Sequence, residues 1–248
     1  MVKNALKSVA RLFGLNVEWR DRLAEQIPMN YERSVFLPRL TGGMLERTLY
    51  FDEIVRRVKD VPGVVVECGV SIGHGILLFS LLHHRYGIQR EVFGFDSFEG
   101  FPSPSAEDGG THAYQGYYST PPAIVMRVLS DGGVPHDFRQ KRVHLVKGFF
   151  AETLPPFDRE IAILHLDCDL YDSYAVALDQ LFPRVSSGGA ILFDEYGSDN
   201  FPGAKKAVDE YFCDRVECIQ RHPSGKYYVI KGCGQESVRA SGRGGDGH

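Results

Sequence analysis

Acidic residues follow two apolar segments of the chain, at places where strands would end. Asp167 comes directly after residues 161–166, and Asp194 and Glu195 follow residues 190–193. The 27 residues from Asp167 to Asp194 leave room for one helix and one turn between two parallel strands. Such strands deliver their carboxylates to one edge of the sheet, where open α/β sheets bind ligands. Carboxylates gathered there repel one another unless a cation joins them, and oxygen ligands favour a hard ion such as Mg²⁺.

The same acids have an ordinary explanation. A single carboxylate at the end of a strand is usually solvated or paired with a basic side chain. Two acidic strand ends with parallel-sheet spacing favour the metal site, so Asp167, Asp194 and Glu195 are the metal-ligand candidates. Asp169 is expected to point away from Asp167 because side chains alternate along a strand. A turn that begins at Cys168 would remove that expectation.

A glycine-bearing turn precedes these acids in the chain. The segment Glu67-Cys68-Gly69-Val70-Ser71-Ile72-Gly73 joins an apolar strand pattern at 64–66 to a helix pattern near Ile76. Glycines let the backbone approach a nucleotide, and a helix N-terminus offers free N–H donors. An acid at the first position would repel a pyrophosphate, but it suits a cationic amine such as that of S-adenosylmethionine. An ordinary tight turn explains the glycines equally well.

Asp96 ends a second apolar segment, at residues 92–95. A carboxylate at this place in an α/β sheet commonly accepts hydrogen bonds from both ribose hydroxyls of an adenosine cofactor. The pair Asp96-Ser97 is also able to cap a helix. Taken together with Glu67, Asp96 favours ribose binding.

Apolar periodicity and turn residues predict the elements that position these side chains. Strands are predicted at 64–66, 92–95, 143–146, 161–166 and 190–193, and helices at 45–61, from 76, and at 123–129, 174–182 and 202–212. Ser173 is the expected cap of the fourth helix. Strands at 215–219 and 226–231 should form a hairpin at one edge. The alternation predicts an α/β fold with a doubly wound, mostly parallel sheet.

The pattern also predicts how the chain is divided. Residues 1–60 should form a helical segment for substrate or oligomer contacts, 61–233 the catalytic domain, and 234–248 a disordered Gly/Ser/Arg-rich tail. Within the domain, 103–135 is long, aromatic and rich in Pro, Gly and Ser. Loops of this length are usually functional or disordered, and Tyr114, Tyr117 and Tyr118 favour a lid.

Composition limits the class of protein. Of the 248 residues, 43% are apolar and 24% charged, and the net charge of −4 argues against a nucleic-acid binder. Five scattered cysteines are typical of free thiols in a reducing cytosol. The sequence has neither an apolar run of membrane-spanning length nor a signal peptide, and residues 2–15 resemble a surface or interface helix. We expect a cytoplasmic homo-oligomer that binds no membrane.

Six segments in order resemble the macrocin O-methyltransferase family, over roughly residues 45–212. They are Val-Glu-Cys-Gly-Val at 66–70, Gly-Phe-Asp-Ser-Phe-Glu-Gly-Phe-Pro at 94–102, Val-Lys-Gly-Phe-Phe-Ala-Glu-Thr-Leu-Pro at 146–155, His-Leu-Asp-Cys-Asp-Leu-Tyr-Asp-Ser at 165–173, Phe-Asp-Glu-Tyr-Gly at 193–197 and Pro-Gly-Ala-Lys-Lys-Ala-Val-Asp at 202–209. The resemblance implies a class I S-adenosylmethionine-dependent fold. It also implies Mg²⁺-assisted methylation of a sugar hydroxyl on a small natural product, as in antibiotic biosynthesis.

The resemblance carries roles to particular positions. It implies a methionine-binding turn at Glu67, Gly69, Val70 and Ser71, ribose contacts at Asp96 and Ser97, an adenine segment at Gly148 and Phe149, and metal ligands at Asp167, Asp194 and Glu195. Asp167 is also the expected general base. The chain departs from the family pattern at 71–74, where an aromatic residue and two glycines are usual. It departs again at Cys168, usually Gly, and at Glu195, often Asp.

Two other functions remain as alternatives. A nicotinamide-dependent oxidoreductase uses a similar sheet, but Glu67 in the glycine turn disfavours it. A non-catalytic partner subunit that has kept the fold is disfavoured because all the candidate metal acids are present.

Overall fold

The computed structural model describes residues 40–109 and 113–232. The expected helix at 2–15 and the expected tail at 234–248 lie outside this part. The described strands are β1 Val64–Cys68, β2 Val92–Asp96, β3 Val143–Lys147, β4 Ile161–Leu166, β5 Val185–Phe193, β6 Gln220–Arg221 and β7 Tyr227–Ile230. The helices are α1 Gly42–Arg57, α2 His74–Arg85, α3 Pro122–Asp131, α4 His136–Arg142, α5 Phe150–Thr153, α6 Tyr171–Leu181 and α7 Pro202–Phe212.

The seven strands form one sheet in the order β3-β2-β1-β4-β5-β7-β6. Strands β1 to β5 are parallel to one another, and β7 is antiparallel to both β5 and β6. The predicted α/β fold class and edge hairpin are therefore confirmed. The strand order reverses between β1 and β4, so the ligand crevice is expected at the carboxyl ends of these two strands.

The central strands β1 and β4 are buried along their whole length, as expected for parallel strands covered by helices on both faces. On one face, Leu164 and Leu166 join a core with residues of α6 and α7. His165 alternates with them and therefore points to the other face. There its ring contacts Phe51 of α1 and Phe79 of α2, which stack with ring centroids 4.4 Å apart.

Several boundaries differ from the predictions. Helix α1 belongs to the same compact unit as the sheet, and the division of the chain at residue 60 stays a prediction. Helix α6 begins at Tyr171, and Ser173 lies inside the helix instead of capping it. A residue distant in the sequence caps the helix instead, because the backbone N–H of Tyr171 donates to Oδ1 of Asp108 at 2.8 Å. The strand expected at 215–219 is displaced to β6.

The expected lid segment, 103–135, has two different parts. Helix α3 buries Val125, Val128 and Leu129 in the core of the domain. The segment before it is held by backbone bonds between Phe101 and residues 116 and 117. Within residues 40–109 and 113–232, no helix is both long and apolar enough to cross a membrane. The cysteines in these ranges, Cys68, Cys168, Cys213 and Cys218, are free.

Candidate functional site

The predicted acids meet at the carboxyl ends of β4 and β5. Leu166 and Phe193 are paired in the sheet, so Asp167 and Asp194 leave neighbouring strands side by side. The Asp194 N–H also donates to the carbonyl oxygen of Leu166 at 3.0 Å. One carboxylate oxygen each from Asp167, Asp194 and Glu195 lie within 4.8 Å of one another. The structure thus brings together all three candidate metal ligands.

Basic side chains of the protein already contact two of these carboxylates. In α1, Nη2 of Arg47 lies 2.6 Å from Oδ2 of Asp167, and Nη1 lies 3.3 Å from Oδ1 of Asp194. Nζ of Lys226 lies 2.9 Å from Oδ2 of Asp194. Sequence analysis missed both cations. Arg47 lies one turn before the buried Phe51, on the apolar side of α1, and Lys226 directly precedes β7, but neither position indicates which acids the side chain contacts.

A buried ion pair lies behind the acids. Nδ1 of His165 is 2.9 Å from Oε1 of Glu67, and its Nε2 is 3.8 Å from Oδ1 of Asp194. Burial by itself would lower the pKa of His165, but Asp194 and Glu67 raise it to about 9. Glu67, which was predicted to contact the cofactor, therefore faces His165 in the interior. Its carboxylate leaves no room for a Cβ at position 75, which is glycine.

Burial and neighbouring charges shift the pKa values of the acids in different directions. Burial raises the pKa of Glu195 well above its usual range, and the charges of Asp167 and Asp194 add to this effect. Burial and the same two charges raise the pKa of Asp169 to about 8. Burial would also raise the pKa of Asp194, but His165, Arg47 and Lys226 together hold it well below its usual range. Without a further cation, the surroundings therefore favour the protonated forms of Asp169 and Glu195.

The position of Asp169 differs from the expectation. Strand β4 ends at Leu166, and the chain turns at once, with Asp169 in the left-handed region at φ 63°. Strand alternation therefore does not apply, and Asp169 borders the same cavities as Asp167. In the described part of the chain, no protein group donates a hydrogen bond to its carboxylate. Its role was missed because the end of β4 could not be placed to the residue.

A cavity of about 250 Å³ lies over the ends of β1 to β4. Its lining includes six of the predicted cofactor residues, Gly69, Ser71, Asp96, Ser97, Gly148 and Phe149. Glu67 and Val70 do not line it. Gly69 is needed where the turn after β1 meets the end of β4, because a Cβ there would lie 1.8 Å from the carbonyl oxygen of Asp167. The cavity is thus walled in part by exposed backbone, which lets a flat ligand approach closely.

Asp96 holds the glycine turn in place. Its Oδ2 accepts hydrogen bonds from the backbone N–H groups of Val70 at 2.8 Å and Ser71 at 3.0 Å. Its Oδ1 accepts from the Phe98 N–H at 2.7 Å. Each carboxylate oxygen carries two lone pairs, so these bonds leave acceptor capacity toward the cavity.

A second cavity of about 440 Å³ adjoins the first. The residues shared by the two cavities are Ser71, Tyr118, Asp167 and Asp169. Arg47, Asp194, Glu195 and Lys226 line only the second. The acidic cluster therefore lies where two ligands, one in each cavity, would meet.

The Macrocin-O-methyltransferase (TylF) family matches residues 36–217 of the chain. The protein belongs to this family. A 4'-O-methyltransferase of a rhamnosyl-tetracenomycin from Streptomyces olivaceus is 34% identical over 61% of this chain and 58% of its own length. Demethyldecarbamoylnovobiocin O-methyltransferase from Streptomyces niveus is 35% identical over 61% of this chain and 59% of its own. The chain thus matches about three fifths of these relatives.

Solved structures agree with the family assignment. CalS11, a calicheamicin methyltransferase, superposes with a TM-score of 0.71 at 29% identity, over 78% of this chain and 82% of its own. The resemblance predicted from the six segments is therefore confirmed. Two departures from the family pattern have structural consequences here. Cys168 lines the first cavity, and the longer Glu195 reaches the hydroxyl of Tyr174, which donates to Oε2 at 2.6 Å.

Proposed function

We propose that this macrocin O-methyltransferase family member transfers a methyl group from S-adenosylmethionine to a hydroxyl of a sugar or similar natural-product acceptor, with Mg²⁺ assistance. The observation that carries the proposal is the cluster of Asp167, Asp194 and Glu195 at the junction of two adjoining cavities. A junction of this kind is where a donor methyl and an acceptor oxygen have to meet.

The first cavity fits the methyl donor. Asp96 lies on its wall for the ribose hydroxyls, and the half-exposed ring of Phe149 offers a flat apolar surface for adenine. Gly69 and Gly148 keep the backbone free of side chains there. In this arrangement Glu67 supports the turn through His165, and the donor contacts come from the residues that line the cavity.

The acidic cluster fits a hard divalent cation. Its three potential donors are all carboxylate oxygens, the ligand type that Mg²⁺ prefers. When bound, the ion would lower the pKa of the acceptor hydroxyl and hold it in place. Asp167, Asp194 and Glu195 would be its ligands.

The chain's own residues then have to position the acceptor and remove a proton. Methyl transfer forms an oxygen–carbon bond as the carbon–sulfur bond breaks in line, so orientation is the largest demand. The hydroxyl proton moves to a carboxylate, and Asp167 borders both cavities as the proposed base. Asp169 borders both as well and has no protein hydrogen-bond donor within the described ranges, which makes it a second candidate for this proton.

Isotope-labelled S-adenosylmethionine tests the function directly. The purified chain should transfer label to glycosides or catechols, whose neighbouring hydroxyls are able to chelate the ion. EDTA should abolish transfer, and Mg²⁺ should restore it. Calorimetry should show binding of S-adenosylmethionine and none of NAD⁺. Binding of NAD⁺ alone would instead favour an oxidoreductase.

A further inference from the structure

Arg47 bridges two of the carboxylates proposed to bind the metal. Its two terminal nitrogens reach Asp167 at 2.6 Å and Asp194 at 3.3 Å. Within the described residues, no other cation contacts two members of the cluster, since Lys226 and His165 contact Asp194 alone. The guanidinium therefore pairs with two of the three carboxylates that would hold a metal ion.

A metal ion held by Asp167 and Asp194 would add positive charge close to the Arg47 guanidinium, because the guanidinium already pairs with both carboxylates. The site is mostly shielded from water, and the side chains of Arg47 and Asp194 are only 21% and 16% exposed. Charge repulsion is screened much less in such a site than at an open surface.

The Arg47 side chain has free space beside it into which it is able to move. Its guanidinium lines the second cavity, which offers about 440 Å³ of space. Among the described residues, its further contact is with the face of Phe51, with Cζ 5.3 Å from the ring centroid. Its buried Nε has no hydrogen-bond partner in residues 40–109 and 113–232. Moving the guanidinium would therefore break two ion pairs and no other polar contact within these ranges.

We propose that Arg47 is a built-in counter-ion that holds Asp167 and Asp194 together before metal binds and must be displaced when it does. The inference rests on the proposed metal-assisted function. Arg47 would then have two opposite effects. It stabilises the metal-free protein, and it weakens the affinity of the protein for the divalent ion. The metal affinity is then set by a residue of α1 that is not itself a ligand.

Metal titration of an Arg47→Met variant tests this proposal. Methionine keeps an unbranched stem against Phe51 but removes the charge. Calorimetry with MgCl₂, with both proteins at the same pH, should show Mg²⁺ binding about tenfold tighter or more than in the wild type. The variant should also melt at a lower temperature in EDTA and gain more from added Mg²⁺. Arg56→Met is the control, because Arg56 lies on the same helix but pairs with Asp52 away from the cluster.

Each result decides the proposal. Weaker or unchanged Mg²⁺ binding in Arg47→Met would overturn it and make Arg47 a positioning residue or a bystander. Should that variant not fold, Arg47→Gln carries the test. Glutamine keeps a polar side chain but removes the charge, so this variant should also bind Mg²⁺ more tightly than the wild type. If neither the wild type nor any variant binds Mg²⁺, the metal-assisted function itself fails together with this inference.

Discussion

The Nδ1 atom of His165 lies 2.9 Å from Oε1 of Glu67, and both side chains are 1% exposed. The imidazole also faces Asp194, so one buried side chain connects Glu67 of β1 to a carboxylate at the end of β5. A group of this kind makes stability depend on pH, because its protonation differs between the folded and unfolded protein.

The metal-free protein should lose stability as the pH rises from 6.5 to 9. The pKa of His165 is raised from 6.5 to about 9, so its contribution is complete below pH 6.5 and is lost as the pH passes through 9. The raised pKa of Asp169, about 8, acts in the same direction, as does that of Glu195. The lowered pKa of Asp194 has its effect only in acid, below this window.

Thermal melts in EDTA across this range measure the effect. Mg²⁺ should reduce the fall, since the ion favours the ionised forms of Asp169 and Glu195. Asp169→Asn should reduce it as well, whereas Asp199→Asn, at an exposed position, should not. A melting temperature that rises from pH 6.5 to pH 9 without metal would contradict the charge arrangement described here.

Asp96→Ala should weaken S-adenosylmethionine binding, and it should also destabilise the protein. From sequence, only the first effect is expected, because ribose binding is the inferred role. The loss of stability is expected because this carboxylate accepts three backbone N–H hydrogen bonds. Each charged hydrogen bond lost should cost about 1.5–3 kcal/mol of stability. Calorimetry and urea unfolding measure the two effects separately. Glu99→Gln, on the exposed loop that follows, is the control, and unchanged affinity in Asp96→Ala would refute the ribose assignment.

The strands that position the site could be predicted because each is an apolar segment bounded by turn residues. Residues 161–166 match β4, and 202–212 match α7, since apolar periodicity and Pro202 mark their limits. The acids meet as predicted because parallel strands share one carboxyl edge. These parts of the structure depend on local pattern and on a general rule of sheet topology.

The parts that could not be predicted depend on contacts between distant residues. The cap on α6 comes from Asp108, 63 positions earlier in the chain, and the bridge to Asp167 comes from Arg47, 120 positions earlier. The periodicity places Arg47 one turn before the buried Phe51, but it does not indicate which distant group Arg47 or Asp108 contacts. Asp169 was misplaced for another reason, because the end of a strand is the least certain part of its prediction.

The segment before α3 should become protected when ligands bind. Residues 103–120 are joined to the rest of the domain near the first cavity by Phe101 and the Tyr117-Tyr118 pair, whose rings line that cavity. Chymotrypsin should cut at the exposed Tyr114 in the free protein and more slowly with S-adenosylmethionine and acceptor present. Tyr86, exposed at the end of α2, provides an internal control site away from both cavities. Equal rates at Tyr114 in both states would argue against a lid.

Asp169→Asn should depress turnover about as strongly as Asp167→Asn. Strand alternation would point Asp169 away from Asp167, and its substitution would then have a mild effect. The chain instead turns after Leu166, and both residues line both cavities. Loss of the group that accepts the hydroxyl proton should lower kcat by roughly 10²–10⁴-fold. Asp194→Asn and Glu195→Gln should lower kcat because they weaken metal binding. All four variants should bind S-adenosylmethionine nearly as the wild type does.

Single-turnover assays with labelled donor, each at saturating Mg²⁺, separate these roles. A lost ligand should be partly rescued by more Mg²⁺, whereas a lost base should not, because no concentration of metal supplies a proton acceptor. Asp199→Asn should retain full activity. If Asp169→Asn also does so while Asp167→Asn is inactive and not rescued, Asp167 alone is the base, as the sequence predicts. Full activity in EDTA-treated wild type would instead show that the carboxylates serve some purpose other than metal binding.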